Sequence, residues 1–173
     1  MKKNTIIATI IFAILAGTAG FFAYRYYAAR RLRRNVIERT VAIIKPDAVC
    51  AKNTGKIIDR IEREGFTIVD IKKVQLDKEQ ASQFYGEHQK KSFFGGLVDF
   101  MCSGPAVILL LEKLNAIADW RDLMGAKSGK EGTEGTLRKE FGTDVRNNAV
   151  HGSDSQEAAG REVKFFFADR FKM

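Results

Sequence analysis

Few residues of this chain combine type and spacing in a way that suits chemistry, and His151 leads them. It follows the apolar pair Ala149-Val150 and precedes Gly152, Ser153, Asp154 and Ser155. That pattern reads as an arriving strand, a turn and a helix N-cap cluster, which presents a side chain where backbone N–H groups attract phosphate. An imidazole is a competent nucleophile towards phosphorus near neutral pH. The same surroundings would equally suit a buried, hydrogen-bonded histidine. His88, the other of the two histidines, lies in the polar stretch YGEHQK and reads as a solvated surface residue. Three cations stand where phosphate could be held: Lys45 ends an apolar run, Arg121 precedes a glycine-rich stretch, and Arg138 follows it. Each taken singly also suits a solvated surface charge. Residues 125–131, GAKSGKE, look like a P-loop, but the first glycine is one residue too close and no Ser or Thr follows the lysine, which excludes a Walker-type ATPase. Cys50 and Cys102 form no C-x-x-C pair and cluster with no histidine, so they read as buried thiols and not as a zinc site or disulfide framework.

Regular elements must hold these side chains. Residues 40–45 (TVAIIK) form a β-branched apolar run ended by Pro46, a buried strand. Beyond Thr54, the spacing of Ile57, Ile58 and Ile61 predicts a helix stopped by Gly65. Residues 66–76 place Phe66, Ile68, Val69, Ile71, Val74 and Leu76 among polar residues, a half-buried strand. Asp77 can cap a helix running through Tyr85, followed by a short apolar helix over residues 95–101. Residues 105–112 (PAVILLLE) read as a strand buried on both faces, and residues 115–124 as a short helix. Residues 125–135 form a long exposed loop, Ser153 opens a last helix, and residues 162–167 (EVKFFF) predict a closing strand. The alternation predicts an α+β, ferredoxin-like βαββαβ sandwich, an antiparallel sheet with helices on one face.

Charge separates two regions. The 173 residues carry a formal +8, which taken whole invites a nucleic-acid partner. Lys2, Lys3, Arg25, Arg30, Arg31, Arg33 and Arg34 stand in residues 1–37 with no acid among them. Removing those seven from 29 bases leaves 22 against 21 acids, a net of +1 for residues 38–173. A specific nucleic-acid partner is therefore not expected for that domain. Residues 5–24 carry no charge, and a helix of that length reaches about 30 Å, the thickness of a bilayer's hydrocarbon core. Five arginines follow within ten residues, against two lysines before the run. This asymmetry predicts one transmembrane helix with the domain on the cytoplasmic side. A cleaved signal peptide with export is the alternative, although the apolar run is long for one. The expected organisation is a membrane anchor and basic juxtamembrane segment in residues 1–37 and a catalytic domain in residues 38–173.

Residues 40–47 (TVAIIKPD), Phe93-Phe94, Ser103-Gly104-Pro105 and residues 148–155 (NAVHGSDS) resemble the nucleoside diphosphate kinase family, in family order from Glu38 onward. The resemblance implies transfer of the terminal phosphoryl group from a nucleoside triphosphate to a nucleoside diphosphate, by a ping-pong route through a phosphohistidine. His151 matches the nucleophile. Lys45 matches the lysine at the transferred phosphate, Tyr85 the tyrosine beside the histidine, and Glu162 the acid that orients the ring, with Ser153 next to it. Phe93 matches the aromatic under the base, and Leu97 and Val145 the apolar contacts around it. Arg121 and Arg138 match the arginines on the phosphates, and Asn148 the asparagine at the sugar. Mg²⁺ is implied as an ion carried by the nucleotide's phosphates, with no protein metal cage. A homo-oligomer, tetramer or hexamer, is implied as well.

The sequence departs from the family where a Gly-Glu-Thr-Asn-Pro stretch is usual. Here Gly125-Ala126-Lys127-Ser128-Gly129 stands in its place, so Lys127 would supply charge instead of a hydroxyl. A proline that braces subunit contacts is absent, and Ser92 replaces a common proline before Phe93. A kinase-derived nucleotide sensor with weak turnover is the alternative that this loop allows.

Overall fold

The computed structural model describes residues 37–126 and 132–168. Both the apolar run of residues 5–24 and Lys127 lie outside the described residues. Among the described residues no helix is long and apolar enough to cross a membrane.

The elements run β1 (Ile37–Ile44), α1 (Pro46–Cys50), α2 (Thr54–Arg63), β2 (Thr67–Val74), α3 (Lys78–Phe84), a 3₁₀ turn (Gly86–His88), α4 (Phe94–Cys102), β3 (Ala106–Leu114), α5 (Ala116–Met124), α6 (Leu137–Phe141), β4 (Val150–Gly152) and α7 (Gln156–Phe166). The sheet order is β2-β3-β1-β4 and every neighbouring pair is antiparallel, the ferredoxin-like arrangement. The two central strands are the two sequence runs that do not alternate. Val41 to Ile44 of β1 and Ile108 to Leu111 of β3 are all fully buried, because helices cover both faces of the sheet.

That corrects the expectation of helices on one face. Val41, Ile43, Ile108 and Leu110 pack with Ala81 of α3, Val98 and Met101 of α4, and Val163 of α7. Ala42, Ile44, Leu109 and Leu111 pack on the opposite side with Ile57 and Ile61 of α2, Trp120 of α5 and Leu137 of α6. A strand with apolar residues at every position has two faces to cover, and each fully buried aliphatic side chain contributes about 1.5–3 kcal/mol relative to exposure. The helices are divided accordingly.

Local signals place several boundaries. Asp77 caps α3 in a capping box: Gln80 N–H donates to Asp77 Oδ1 at 2.7 Å, and Asp77 N–H donates to Gln80 Oε1 at 3.1 Å. Ile57 and Ile61, four apart, form the buried stripe of α2. In β2, Ile68 packs on one core and Val69 on the other, and a bulge between Ile68 and Asp70 shifts the pairing with β3.

Residues 162–167 are not a strand. Residues 162–166 continue α7 and Phe167 is its C-cap; the N-cap is Ser155, with its Oγ accepting from Ala158 N–H at 3.1 Å, and not Ser153. Val163 and Phe167 of the β-prone run EVKFFF continue a spacing of four that begins at Ala159, and those three side chains are buried. The fourth strand is instead the three-residue β4, too short for a period and recognisable only by its pairing with Ala42 to Ile44 of β1. Cys50 is exposed and Cys102 half-buried, so neither is the fully buried thiol expected.

Candidate active site

Lys45 leaves β1 in extended conformation, and Pro46 starts α1 directly behind it. The lysine is 5% exposed, and its Nζ donates to Arg146 O at 2.6 Å and to Asn148 Oδ1 at 2.7 Å. Asn148 returns a bond from Nδ2 to Val145 O at 2.8 Å. The segment that carries these acceptors is pinned to the end of β1: Lys45 N–H donates to Ala149 O at 2.8 Å, and Ala149 N–H donates to Asp47 Oδ2 at 2.9 Å. Ala149 pays for this with φ +64, the left-handed region that a residue with a Cβ seldom adopts. The turn at Ala149 delivers His151 to β4, opposite Ile43.

The imidazole of His151 is fixed from behind. Its Nε2 lies 3.2 and 3.3 Å from the two Glu162 carboxylate oxygens. Ser153 Oγ donates to Glu162 Oε2 at 2.8 Å and accepts from Val41 N–H at 3.2 Å. A carboxylate at Nε2 holds the proton there and leaves Nδ1 with its lone pair. Phe84 and Tyr85 face the ring edge-on, with centroids at 5.4 and 5.8 Å. Burial, with a smaller contribution from Glu162, pushes the Tyr85 phenol well above its usual range, so it stays protonated.

The glycine at 152 is required by a close approach. A Cβ there would lie 2.3 Å from two atoms of the Trp120 ring and 2.8 Å from the Met124 methyl. Trp120 is fully buried and donates Nε1–H to His151 O at 3.1 Å. Gly152→Ala is therefore expected to lose about 2 kcal/mol of stability through overpacking. It should also lower turnover, because the indole that holds the histidine backbone must move. Thermal unfolding and turnover measured on one preparation check this.

A cavity of about 380 Å³ opens in front of the histidine. Lys45, Tyr85, Arg138, Asn148 and His151 line one part of it, and Phe93, Leu97 and Val145 another. Phe93 and Val145 are 49% and 65% exposed, which is unusual for such side chains and suits a surface that is covered when a ligand enters. Arg138 is fixed by Nη1–H to Gly125 O at 2.9 Å and Nη2–H to Val150 O at 3.1 Å. Burial, then the charge of Arg121, brings its guanidinium down to about 10, still cationic at neutral pH. Burial likewise brings the Lys45 ammonium down to about 8; Asp47 opposes this, Arg138 adds to it and Asp144 opposes it again.

Eight of the residues singled out from sequence thus meet at one cavity, and Glu162 stands behind the ninth position of interest, the Nε2 of His151. Arg121 does not line the cavity; it is exposed on α5, and its charge reaches Arg138. Lys127 lies outside the described residues. Three cavity residues, His88, Arg146 and Val150, are not among the candidates read from the sequence. His88 is not a plain surface residue: it stacks on Tyr85 at 6.4 Å and lies 5.7 Å from Phe93. Its position three residues after Tyr85, one helical turn, was the available signal. Arg146, beside Val145, had none.

A family model for nucleoside diphosphate kinase matches residues 38–171. A nucleoside diphosphate kinase of Pelobacter propionicus is 53% identical over 131 residues, 76% of this chain and 96% of that protein. One from Nitratiruptor is 52% identical over 134 residues, 78% of this chain and 98% of its own. The crystal structure of the Aquifex aeolicus nucleoside diphosphate kinase superposes with a TM-score of 0.75 at 41% identity, covering 76% of this chain and 96% of that one. A halophilic nucleoside diphosphate kinase from Halobacterium salinarum, solved in complex with CDP, gives 0.75 at 39% identity over 78% and 90%. A ferredoxin-like sheet carrying an oriented imidazole among buried cations is a phosphotransferase-type site, and the chain belongs to the nucleoside diphosphate kinase family.

Proposed function

We infer that this chain is a nucleoside diphosphate kinase working through a phosphohistidine at His151. The observation that carries the reading is the Ser153–Glu162–His151 chain, which leaves Nδ1 available beside Lys45 and Arg138. Nδ1 attacks the γ-phosphorus of a nucleoside triphosphate, the bond to the bridging oxygen breaks, and the diphosphate leaves. A terminal oxygen of a second diphosphate then attacks the phosphohistidine, and Nδ1 recovers its lone pair. Lys45 and Arg138 neutralise charge on the moving group, with Arg121 and Lys127 nearby in sequence terms, and Asn148 with Lys45 meets the sugar. The base stacks on Phe93 between Leu97 and Val145, a mode that tolerates every base because each has a π-face.

Mg²⁺ fits this site as an ion that arrives on the phosphates. Among the described residues the cavity lining presents N–H donors and no carboxylate, a donor set that binds phosphate oxygens and not a hard cation. When it arrives with the nucleotide, Mg²⁺ would offset the charge of the phosphates that Lys45 and Arg138 hold.

Incubation with γ-phosphate-labelled ATP should leave an acid-labile label on the protein. A chase with GDP, UDP or CDP should move that label to the matching triphosphate. Label that is acid-stable, or that no diphosphate removes, would overturn the reading.

For residues 1–37 we propose a single-pass anchor with the kinase domain on the cytoplasmic side; the uncharged run of residues 5–24 and the arginines after it support this. Removal of residues 1–36 should shift the protein from carbonate-washed membranes to the soluble fraction. Unchanged membrane association would overturn the anchor. Self-association into a tetramer or hexamer is proposed on family grounds, supported by the edge position of β2 and the 47% exposure of its Ile71.

A further inference from the structure

Arg146 reaches the cavity from the segment between α6 and β4, one residue after Val145. Its main chain is tied twice: the N–H donates to Asp144 Oδ1 at 2.7 Å and the carbonyl accepts from Lys45 Nζ at 2.6 Å. Its side chain crosses to α4. A Cβ built on Gly96 would lie 2.8 Å from Nη2, 3.0 Å from Cζ and 3.3 Å from Nη1. Three guanidinium atoms at similar distances from one point mean that the group lies broadside against the Gly96 backbone. The seat exists because Gly96 has no side chain. Gly96 is followed by Leu97 and stands three residues after Phe93, so the guanidinium sits at the base end of the cavity and not at the phosphate end. The carboxylate of Asp144 does not anchor it by hydrogen bonding: its oxygens accept from the N–H groups of Arg146 and Asn147 and from Asn147 Nδ2.

A base stacked on Phe93 is gripped by its face, and its edge remains to be read. A guanidinium offers only donors, in a planar fork that suits two adjacent acceptors. Guanine presents O6 and N7 side by side, whereas adenine puts an amino group where O6 would be, so donor meets donor. We propose that Arg146, seated against Gly96, reads the edge of the base and makes this enzyme favour guanine over adenine nucleotides as phosphoryl acceptors. The proposal rests on reading the cavity as a nucleotide site.

The test uses the full chain, charged to the phosphohistidine form with labelled ATP, and compares kcat/KM for GDP and ADP. Arg146→Met keeps the stem and removes the donors. Gly96→Ala leaves the arginine in place but fills its seat, and the flexible end of the side chain can move aside without harm to the helix. Both variants should lower the GDP-to-ADP ratio at least about fivefold, the lower end of what a bidentate side-chain contact to a base edge discriminates. An unchanged ratio, or equal losses for both acceptors, overturns the proposal. A ratio that moves in Arg146→Met and not in Gly96→Ala overturns the seat. Failure of the wild-type protein to form the acid-labile label is a different result and would overturn the kinase reading itself.

Discussion

His151→Ala is expected to incorporate no acid-labile phosphate and to lose at least about 10⁴-fold in kcat, because the imidazole oriented by Glu162 to form the covalent intermediate is gone. The competing explanation, a collapsed site, predicts lost binding too. It can be separated by the one tryptophan of the chain, Trp120, whose Nε1–H bonds the main-chain carbonyl of residue 151 and not its side chain. The alanine variant keeps that carbonyl, so Trp120 emission should match the wild type, and equilibrium binding of labelled diphosphate should be retained. Label persisting in the variant would place the nucleophile elsewhere. Glu162 and Ser153 would then be an ordinary buried hydrogen-bond pair.

Lys45→Met should cost about 10²–10³-fold in kcat/KM, the usual loss for one preorganised charge at a developing anion. Its pH dependence is the sharper test. In the free protein burial lowers the Lys45 ammonium to about 8. Charge on that group, and with it the phosphate contact, is present below this pH and lost as pH rises through it. The wild-type kcat/KM should therefore fall above about pH 8, and the methionine variant should lack that limb. A bound polyphosphate favours the charged form, so the same limb should move to higher pH in kcat. Folding stability has the opposite slope. Between about pH 8 and the ordinary lysine value of 10.5 the unfolded chain binds more protons than the folded one, so the wild type gains stability across that window relative to the variant. A variant that retains the alkaline limb would show that another group titrates.

Much of the architecture can be read from local patterns. The unbroken apolar runs of β1 and β3, the capping box at Asp77, and the Ile57/Ile61 stripe are each written in a few consecutive residues. The site motifs could be read for the same reason: residues 148–155 carry Asn148, His151 and Ser153 on one short segment. The covering of both sheet faces could have been inferred from β1 and β3, since a strand without alternation has no polar face to leave in water. The closing strand was misplaced because EVKFFF suits strand by composition, while α7 wins through the Ser155 cap and three buried side chains spaced by four.

Residue identity and local spacing single out the chemically capable groups: an imidazole, a lysine, two arginines and a carboxylate. Folding alone decides which nitrogen of His151 is free, how low the Lys45 ammonium sits, and where the Arg146 guanidinium rests. Those outcomes depend on partners far along the chain. Lys45 binds residues 101 and 103 positions away, and Ser153 meets Val41 across 112. Electrostatics and hydrogen-bond geometry act over a few ångströms of space, and no window of sequence contains both halves of such a contact.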